Sequence, residues 1–268
     1  MDRETLGKGR TATVYKLDDK RVIKLFNKNI SLDSIKKEAA IYKALNNIEL
    51  APRFHSIERY NNKTGIVMEM VHGKSMLSLI EEHPLRVKDY AKVMAQIHYK
   101  LHSFNKELPK SFNNVFSNAS SIDILGSDSA FIQNYTIELN KTYTKFSICH
   151  GDFHPDNIML NENEKVLDWT NAYKGNPLSD VAKTSLILSS PFIPDEITGL
   201  ARFFIKIIKR KLKKSYINEY LKLSKYSKTD LNLWTLPMAV VRLGDNIPAE
   251  KEWLMDIIKD EINKADIY

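Results

Sequence analysis

The stretch Cys149-His150-Gly151-Asp152-Phe153-His154-Pro155-Asp156-Asn157, followed by Val166-Leu167-Asp168-Trp169, is the most informative part of the chain. It supplies a carboxylate at Asp152, an amide at Asn157 and a second carboxylate at Asp168. These are the oxygen groups that phosphoryl transfer to a hydroxyl needs. One acid orients or deprotonates the acceptor, while the amide and the other acid hold Mg²⁺ against nucleotide phosphates. Magnesium takes few protein oxygens beside phosphates and water, and two ligands fit that habit. The apolar pieces Ile158-Met159-Leu160 and Val166-Leu167-Asp168 flank a polar 161–165 turn, which predicts a short hairpin next to the acids.

Upstream, Thr13 to Leu17 and Arg21 to Phe26 are rich in β-branched and aromatic residues and are separated by Asp18-Asp19-Lys20, so they predict two strands and a turn. Ser31 to Asn46 opens on a capping serine and carries Ile35, Ala39, Ile41, Tyr42 and Leu45, a helical pattern. Phe54 to Tyr60 and Thr64 to Val71 predict a second hairpin, and Gly73 a hinge. Downstream the pattern is largely helical, over Val87 to Phe104, about Ser120 to Lys141, Leu178 to Leu188, Asp195 to Lys214, Ser215 to Lys225, Leu231 to Leu243 and Glu250 to Asn263. The expected architecture is α+β: a small antiparallel lobe with one helix over 1–72, then a larger helical lobe over 73–268.

In this setting His150-x-Asp152-x4-Asn157 resembles the catalytic loop of the aminoglycoside phosphotransferase and choline kinase-like family, small-molecule relatives of protein kinases. Asp168 resembles the metal-binding aspartate that stands where protein kinases have Asp-Phe-Gly. The resemblance implies Asp152 as catalytic base, Asn157 and Asp168 as magnesium ligands, and His150 as a brace for the loop. Asp180, in Asn176-Pro177-Leu178-Ser179-Asp180-Val181-Ala182, resembles the aspartate that fastens the catalytic loop through backbone N–H groups. Gly7-Lys8-Gly9-Arg10-Thr11-Ala12-Thr13-Val14 resembles the phosphate-covering loop, with Ala12 in place of its third glycine. Lys24 matches the strand lysine on the α- and β-phosphates, and Glu38 its helix partner. Ile66 to Gly73 resembles the strand into the hinge, which would bring adenine to the backbone of Glu69, Met70 and Val71. The resemblance thus implies a bilobal kinase-like fold, ATP and magnesium as cofactors, and transfer to a small-molecule hydroxyl.

The 268 residues are 43% apolar and 27% charged, ordinary for a globular chain. One cysteine, Cys149, excludes an internal disulfide and a thiolate zinc cluster. The charged N-terminal MDRETLGKGR lacks a signal peptide's apolar stretch, and no window approaches 18 uninterrupted apolar residues, so a cytoplasmic protein with no membrane span is expected. His98 and His102, and His150 and His154, are each four apart. With no third ligand evident in either pair, they are read as packing and local hydrogen bonding.

From Leu200 to Lys228 there are ten Lys or Arg and one acid, Glu219. Leu200, Phe203, Phe204, Ile207, Ile208 and Leu212 form an apolar stripe within this segment. It is read as docking in the core with its lysines in water; nucleic acid or an anionic membrane is the alternative partner.

Only eleven residues separate Asp168 from Asp180, and no Ala-Pro-Glu follows, so a small acceptor is favoured over a peptide. An aminoglycoside, an amino alcohol, a sugar and a nucleoside remain open. A polycationic aminoglycoside needs acidic walls, for which Asp195, Glu196, Asp245, Glu250, Glu252, Asp256 and the Tyr268 carboxylate are candidates. A compact protein kinase beside a macromolecule and a nucleotide-binding pseudokinase are the competing classes.

Overall fold

The computed structural model describes residues 4–117, 119, 125–161, 163–193 and 197–265. The N-terminal part holds β1 (Thr5–Lys8), β2 (Ala12–Lys16), β3 (Arg21–Phe26), α1 (Leu32–Ala44), β4 (Phe54–Tyr60) and β5 (Lys63–Glu69). Its strands form one antiparallel sheet in the order β1-β2-β3-β5-β4. β3 is apolar on both faces. Val22 and Phe26 belong to the main core with Ile66 and Met68, while Ile23 and Leu25 cluster with Val67 on the other side. Side chains two apart share a face, so Lys24 lies on the same side as Val22 and Phe26. That is the face covered by α1, whose start is capped by Ser31 Oγ accepting from Ser34 N–H at 3.1 Å.

Beyond the sheet come β6 (Lys74–Ser75), α2 (Met76–Glu82), α3 (Val87–Leu101), α4 (Phe112–Ser117), α5 (Asp128–Thr142), β7 (Ser147–Cys149), β8 (Ile158–Leu160), β9 (Lys165–Val166) and β10 (Tyr173–Gly175). The chain ends in α6 (Pro177–Ser189), α7 (Gly199–Ser224), α8 (Lys228–Leu233), α9 (Thr235–Leu243) and α10 (Lys251–Ala265). β6-β8-β9 and β7-β10 are small antiparallel sheets. Gly73 joins the two parts at φ +127°, where an added Cβ would stand 2.7 Å from Leu160 O, so this crossing requires glycine. The small antiparallel lobe and the mainly helical second part are those expected.

Three helical readings change. The predicted 195–214 and 215–225 helices are one, α7, because nothing breaks the backbone and Leu212, Tyr216, Ile217 and Tyr220 continue a buried row packed along α3. The predicted 231–243 helix divides at Trp234, three residues before Pro237, which can donate no backbone hydrogen bond to the preceding turn. α5 begins at Asp128, and the earlier part of that predicted helix, residues 120–124, lies outside the described residues. The stripe on the basic helix also docks only in part. Ile208 and Leu212 meet the core, but Leu200, Phe203 and Phe204 are exposed.

Candidate active site

β7 is fully buried and delivers the chain into the His150–Asn157 loop. Gly151 sits at φ +76°, and an added Cβ would lie 2.4 Å from Asn171 O, so only glycine lets the loop pass this close to the turn after Asp168. His150 is buried and uses both ring nitrogens: Nε2 donates to Leu167 O at 2.9 Å, and Nδ1 accepts from Asp152 N–H at 3.2 Å. Leu167 N–H donates to Asn157 O at 2.7 Å, and Asn157 Nδ2 donates to Asp152 O at 2.9 Å. These bonds bring Asp152, Asn157 and Asp168, spread over 17 positions of sequence, to one edge of the β8-β9 hairpin. Burial opposes the charge of Asp152, but His154, 3.7 Å away, with His150 and Lys183, holds its carboxyl at about 2. It is therefore ionised throughout the physiological range.

Asp168 adopts a left-handed backbone, φ 56° and ψ 65°, an uncommon conformation for a residue with a side chain. Its Oδ1 accepts from Lys24 Nζ at 3.0 Å and from Thr170 Oγ1 at 2.7 Å. Lys24 Nζ also donates to Glu38 Oε1 at 2.8 Å and Thr170 Oγ1 at 3.2 Å, so one ammonium joins strand, helix and hairpin. Burial disfavours that charge, yet Tyr42, Asp168 and Glu38 together raise the lysine above its ordinary range.

Asp180 is buried in the first turn of α6 and accepts four hydrogen bonds. Two come from the backbone N–H groups of His150 and Gly151, the latter at 2.9 Å. Two come from His98 Nε2 at 3.0 Å and His102 Nε2 at 3.4 Å. The Nδ1 atoms of these histidines lie 2.6 Å from the hydroxyls of Tyr216 and Tyr220 on α7. The sequence offered no third ligand for this pair, but Asp180 stands beside both rings, with all three ligating atoms within 4.8 Å. Each of those atoms already has a hydrogen-bond partner, so the cluster is a closed polar network that ties the catalytic loop to α3, α6 and α7.

That network sets a pH dependence. Burial lowers His98 to about 3 and also lowers His102 and His150, while Asp180 is held well below the usual carboxylate range despite its burial. A histidine whose folded value is depressed contributes stability that is present above its ordinary value and lost as pH falls below it. Between pH 7.5 and 5.5 the loss from His98 alone should be about 1.4 kcal/mol, with His102 and His150 adding to it. Urea unfolding at the two pH values measures this; equal stability would contradict neutral buried histidines.

The remaining expected residues fall into place unevenly. Gly7 lies within β1, and Gly9 in the turn to β2, where its N–H donates to Ala12 O at 2.9 Å. Glu69 turns its carboxylate to Arg53 N–H and Lys165 Nζ, at 3.0 and 3.1 Å. The N–H groups of Glu69 and Met70 are already bonded to Arg53 O and Lys20 O, each at 2.8 Å. Of the three hinge N–H groups, that of Val71 has no such bond among the described residues. Among the candidate acids, Glu252 and Asp256 are exposed on α10, and Asp195, Glu196 and Tyr268 lie outside the described residues. Sequence reasoning missed Thr170, Lys110 and Lys183, which carry no motif of their own. Lys110 Nζ donates to Thr170 O at 2.9 Å, and Lys183 meets Asp245 Oδ2 at 3.1 Å.

A cavity of about 460 Å³ opens where these residues meet, lined by Lys37, Lys110, Asn171, Tyr173, Lys183 and Asp245 among others. A larger one, about 1040 Å³, beside α4 and α5 has no carboxylate or histidine in its lining and no means of performing the chemistry described above.

Residues 128–212 match the phosphotransferase enzyme family. The matched span carries the whole His150–Asn157 loop, Asp168 and Asp180. Among solved structures, the fold is that of an aminoglycoside phosphotransferase, APH(3'')-Id from Streptomyces rimosus, at 15% identity and TM-score 0.57 over 89% of this chain and 92% of that one. An aminoglycoside-3'-phosphotransferase of type VIII gives 15% and 0.58, over 90% and 93%. APH(2'')-IIa, solved as a ternary complex with streptomycin and ATP, gives 15% and 0.54, over 98% and 91%. No curated protein sequence matches the chain. The expected resemblance is borne out over the matched span, and the fold is the kinase-like fold of these solved phosphotransferases. Among the described residues no helix is long and apolar enough to cross a membrane.

Proposed function

We propose that the protein transfers the γ-phosphate of ATP, with Mg²⁺, to a hydroxyl of a small molecule. The observation that carries this reading is the convergence of Asp152, Asn157, Asp168 and the Lys24–Glu38 pair at one cleft between sheet and hairpin. Lys24 binds the α- and β-phosphates and is kept charged and aimed by Glu38. Space is left for those phosphates, since a Cβ on Gly7 would meet nothing within 4 Å and one on Gly9 only Ala12 O at 3.5 Å. Adenine pairs with the hinge through the Val71 N–H, and the Glu69 and Met70 N–H groups serve the sheet instead.

The donor set fits magnesium. Asp168 Oδ2 and Asn157 Oδ1 are hard oxygens with no donor on them among the described residues, while Asp168 Oδ1 and Asn157 Nδ2 are bonded within the protein. The bound ion supplies charge against the phosphate oxygens. Asp152 accepts a hydrogen bond from the acceptor hydroxyl and aligns its oxygen with the γ-phosphorus. With its carboxyl at about 2 it is a weak base, suited to a loose transition state in which the proton leaves late. The short run from Asp168 to Asp180 is filled by a helical turn, β10 and the Asn176 cap of α6, which leaves no shelf for a peptide.

The reading is tested by ATP consumption with Mg²⁺ against panels of aminoglycosides, amino alcohols, sugars, nucleosides and their anionic derivatives, with Asp152→Asn as the blank. A hit lost in the blank supports it. Silence across the panels with intact Mg-ATP binding would turn the assignment toward a binding protein. Asp168→Ala should weaken Mg-ATP binding by about tenfold or more, because it removes one of two proposed protein ligands. Titration calorimetry gives the value, and equal affinity would remove Asp168 from the metal site.

A further inference from the structure

The smaller cavity is walled by Lys37 of α1, five residues of the stretch from Pro109 to Ala119, the turn after Asp168, α6 and the end of α9. Its volume, about 460 Å³, is that of a small-ligand site. Two contacts fix its place. Asn171, in its wall, is the residue against which Gly151 packs, one position before Asp152. Lys110, also in its wall, donates to the carbonyl of Thr170, whose hydroxyl touches both Asp168 and Lys24. The cavity therefore flanks the position where an acceptor hydroxyl would meet a γ-phosphate.

Among the described residues the charged ones in the lining are three lysines, Lys37, Lys110 and Lys183, and one acid, Asp245. That acid is already shared, with its Oδ2 3.1 Å from Lys183 Nζ and 3.2 Å from Arg242 Nη1. Behind it, Glu250 is spent on a two-pronged pair with Arg242 at 2.7 and 3.0 Å. Lys183 and Asp245 thus pair within the wall, with the Arg242–Glu250 pair adjoining Asp245. Lys110 is half-buried and has no carboxylate partner among the described residues, and two of its three ammonium hydrogens are uncommitted. Lys37 is paired outside the cavity, with Asp33 at 2.7 Å. Among the described lining residues a polycation entering here would meet like charge and no unpaired acid, whereas an oxyanion would meet unspent N–H donors.

Building on the phosphotransferase reading above, we propose that this cavity binds an anionic group of the acceptor, which is a hydroxyl compound bearing a phosphate or a carboxylate and not an aminoglycoside. Lys110 and Lys183 hold the oxyanion, and the hydroxyl extends to Asp152. The field of Lys183 reaches Asp152 and Lys110 alike, in keeping with one shared space.

The test is calorimetric titration of the full chain with glucose 6-phosphate, glycerate, glucose and streptomycin, repeated on Lys110→Met and Lys183→Met after thermal melts confirm folding. An anionic probe should bind the parent more tightly than glucose or streptomycin and lose about tenfold or more in the variants. Whether glucose 6-phosphate or glycerate binds tells phosphate from carboxylate. Lys110 forms no ion pair among the described residues, so its variant keeps the test decisive if Lys183→Met unfolds. Tighter binding of streptomycin or glucose, or an anionic probe held equally by parent and Lys110→Met, would overturn the proposal. The same probes are then offered with Mg-ATP. Phosphate transfer to streptomycin alone would sink the anion assignment and leave the transferase reading intact. Lysine-dependent binding of anionic probes with no transfer to any acceptor would support the assignment and count against the transferase reading.

Discussion

Asp152→Asn should lower turnover by roughly 10²- to 10⁴-fold while leaving Mg-ATP affinity within about twofold of the parent. The amide is isosteric and keeps a hydrogen-bonding oxygen, but it cannot accept the proton and lacks the charge that orients the hydroxyl. Nucleotide affinity is spared because Lys24, Asn157 and Asp168 are reached through other contacts: Asn157 bonds the backbone carbonyl of residue 152 and not its side chain. The loop should also survive, since its fastening runs through the backbone of His150 and Gly151. Steady-state turnover together with ATP titration separates these effects. Unchanged turnover would remove Asp152 from the chemistry, and a fall matched by lost nucleotide affinity would point to a collapsed loop.

Asp180→Ala should be the most destabilising single change at the site. It orphans two backbone N–H groups and two imidazole N–H groups in a region closed to water. Each buried donor left without its acceptor costs about 1–3 kcal/mol, so losing four takes a large part of the roughly 5–15 kcal/mol that holds a domain folded. The melting temperature should fall by about 10 °C, and turnover should fall in whatever fraction stays folded, because the same carboxylate positions the residues just before Asp152. Thermal melts measure the first and steady-state turnover of the folded fraction the second. A shift under about 2 °C would show that the network is dispensable.

Much of this was legible in the sequence because kinase-like chemistry concentrates in short runs. His150 to Asn157, Asp168, Lys24 and Glu38 could be named from their neighbours alone, and alternation along β3 already set Lys24 on a face with core residues. The Asp180 network was only half legible. The backbone anchor was expected, but its bonds to His98 and His102 span 82 and 78 positions and leave no local pattern. Lys110 and Lys183 were invisible for the same reason: a lysine reads as solvated until the fold encloses it. Strands of two or three residues, such as β6, β7, β9 and β10, are too short for a period-two signal. The stripe on α7 misled because periodicity reports an apolar face without reporting whether a neighbour covers it; Leu200, Phe203 and Phe204 in its first turns remain in solvent.

The eleven residues between Asp168 and Asp180 also bear on control. In signalling kinases a long, mobile loop at this point gives other enzymes something to modify, so the site can be stored in an off state. Here every part of the connection is occupied: a helical turn held through Trp169, a strand paired with β7, and a capping asparagine. Lys24, Glu38 and Asp168 are joined already. On the proposed phosphotransferase reading, a site built this way needs no loop to be ordered before it can act.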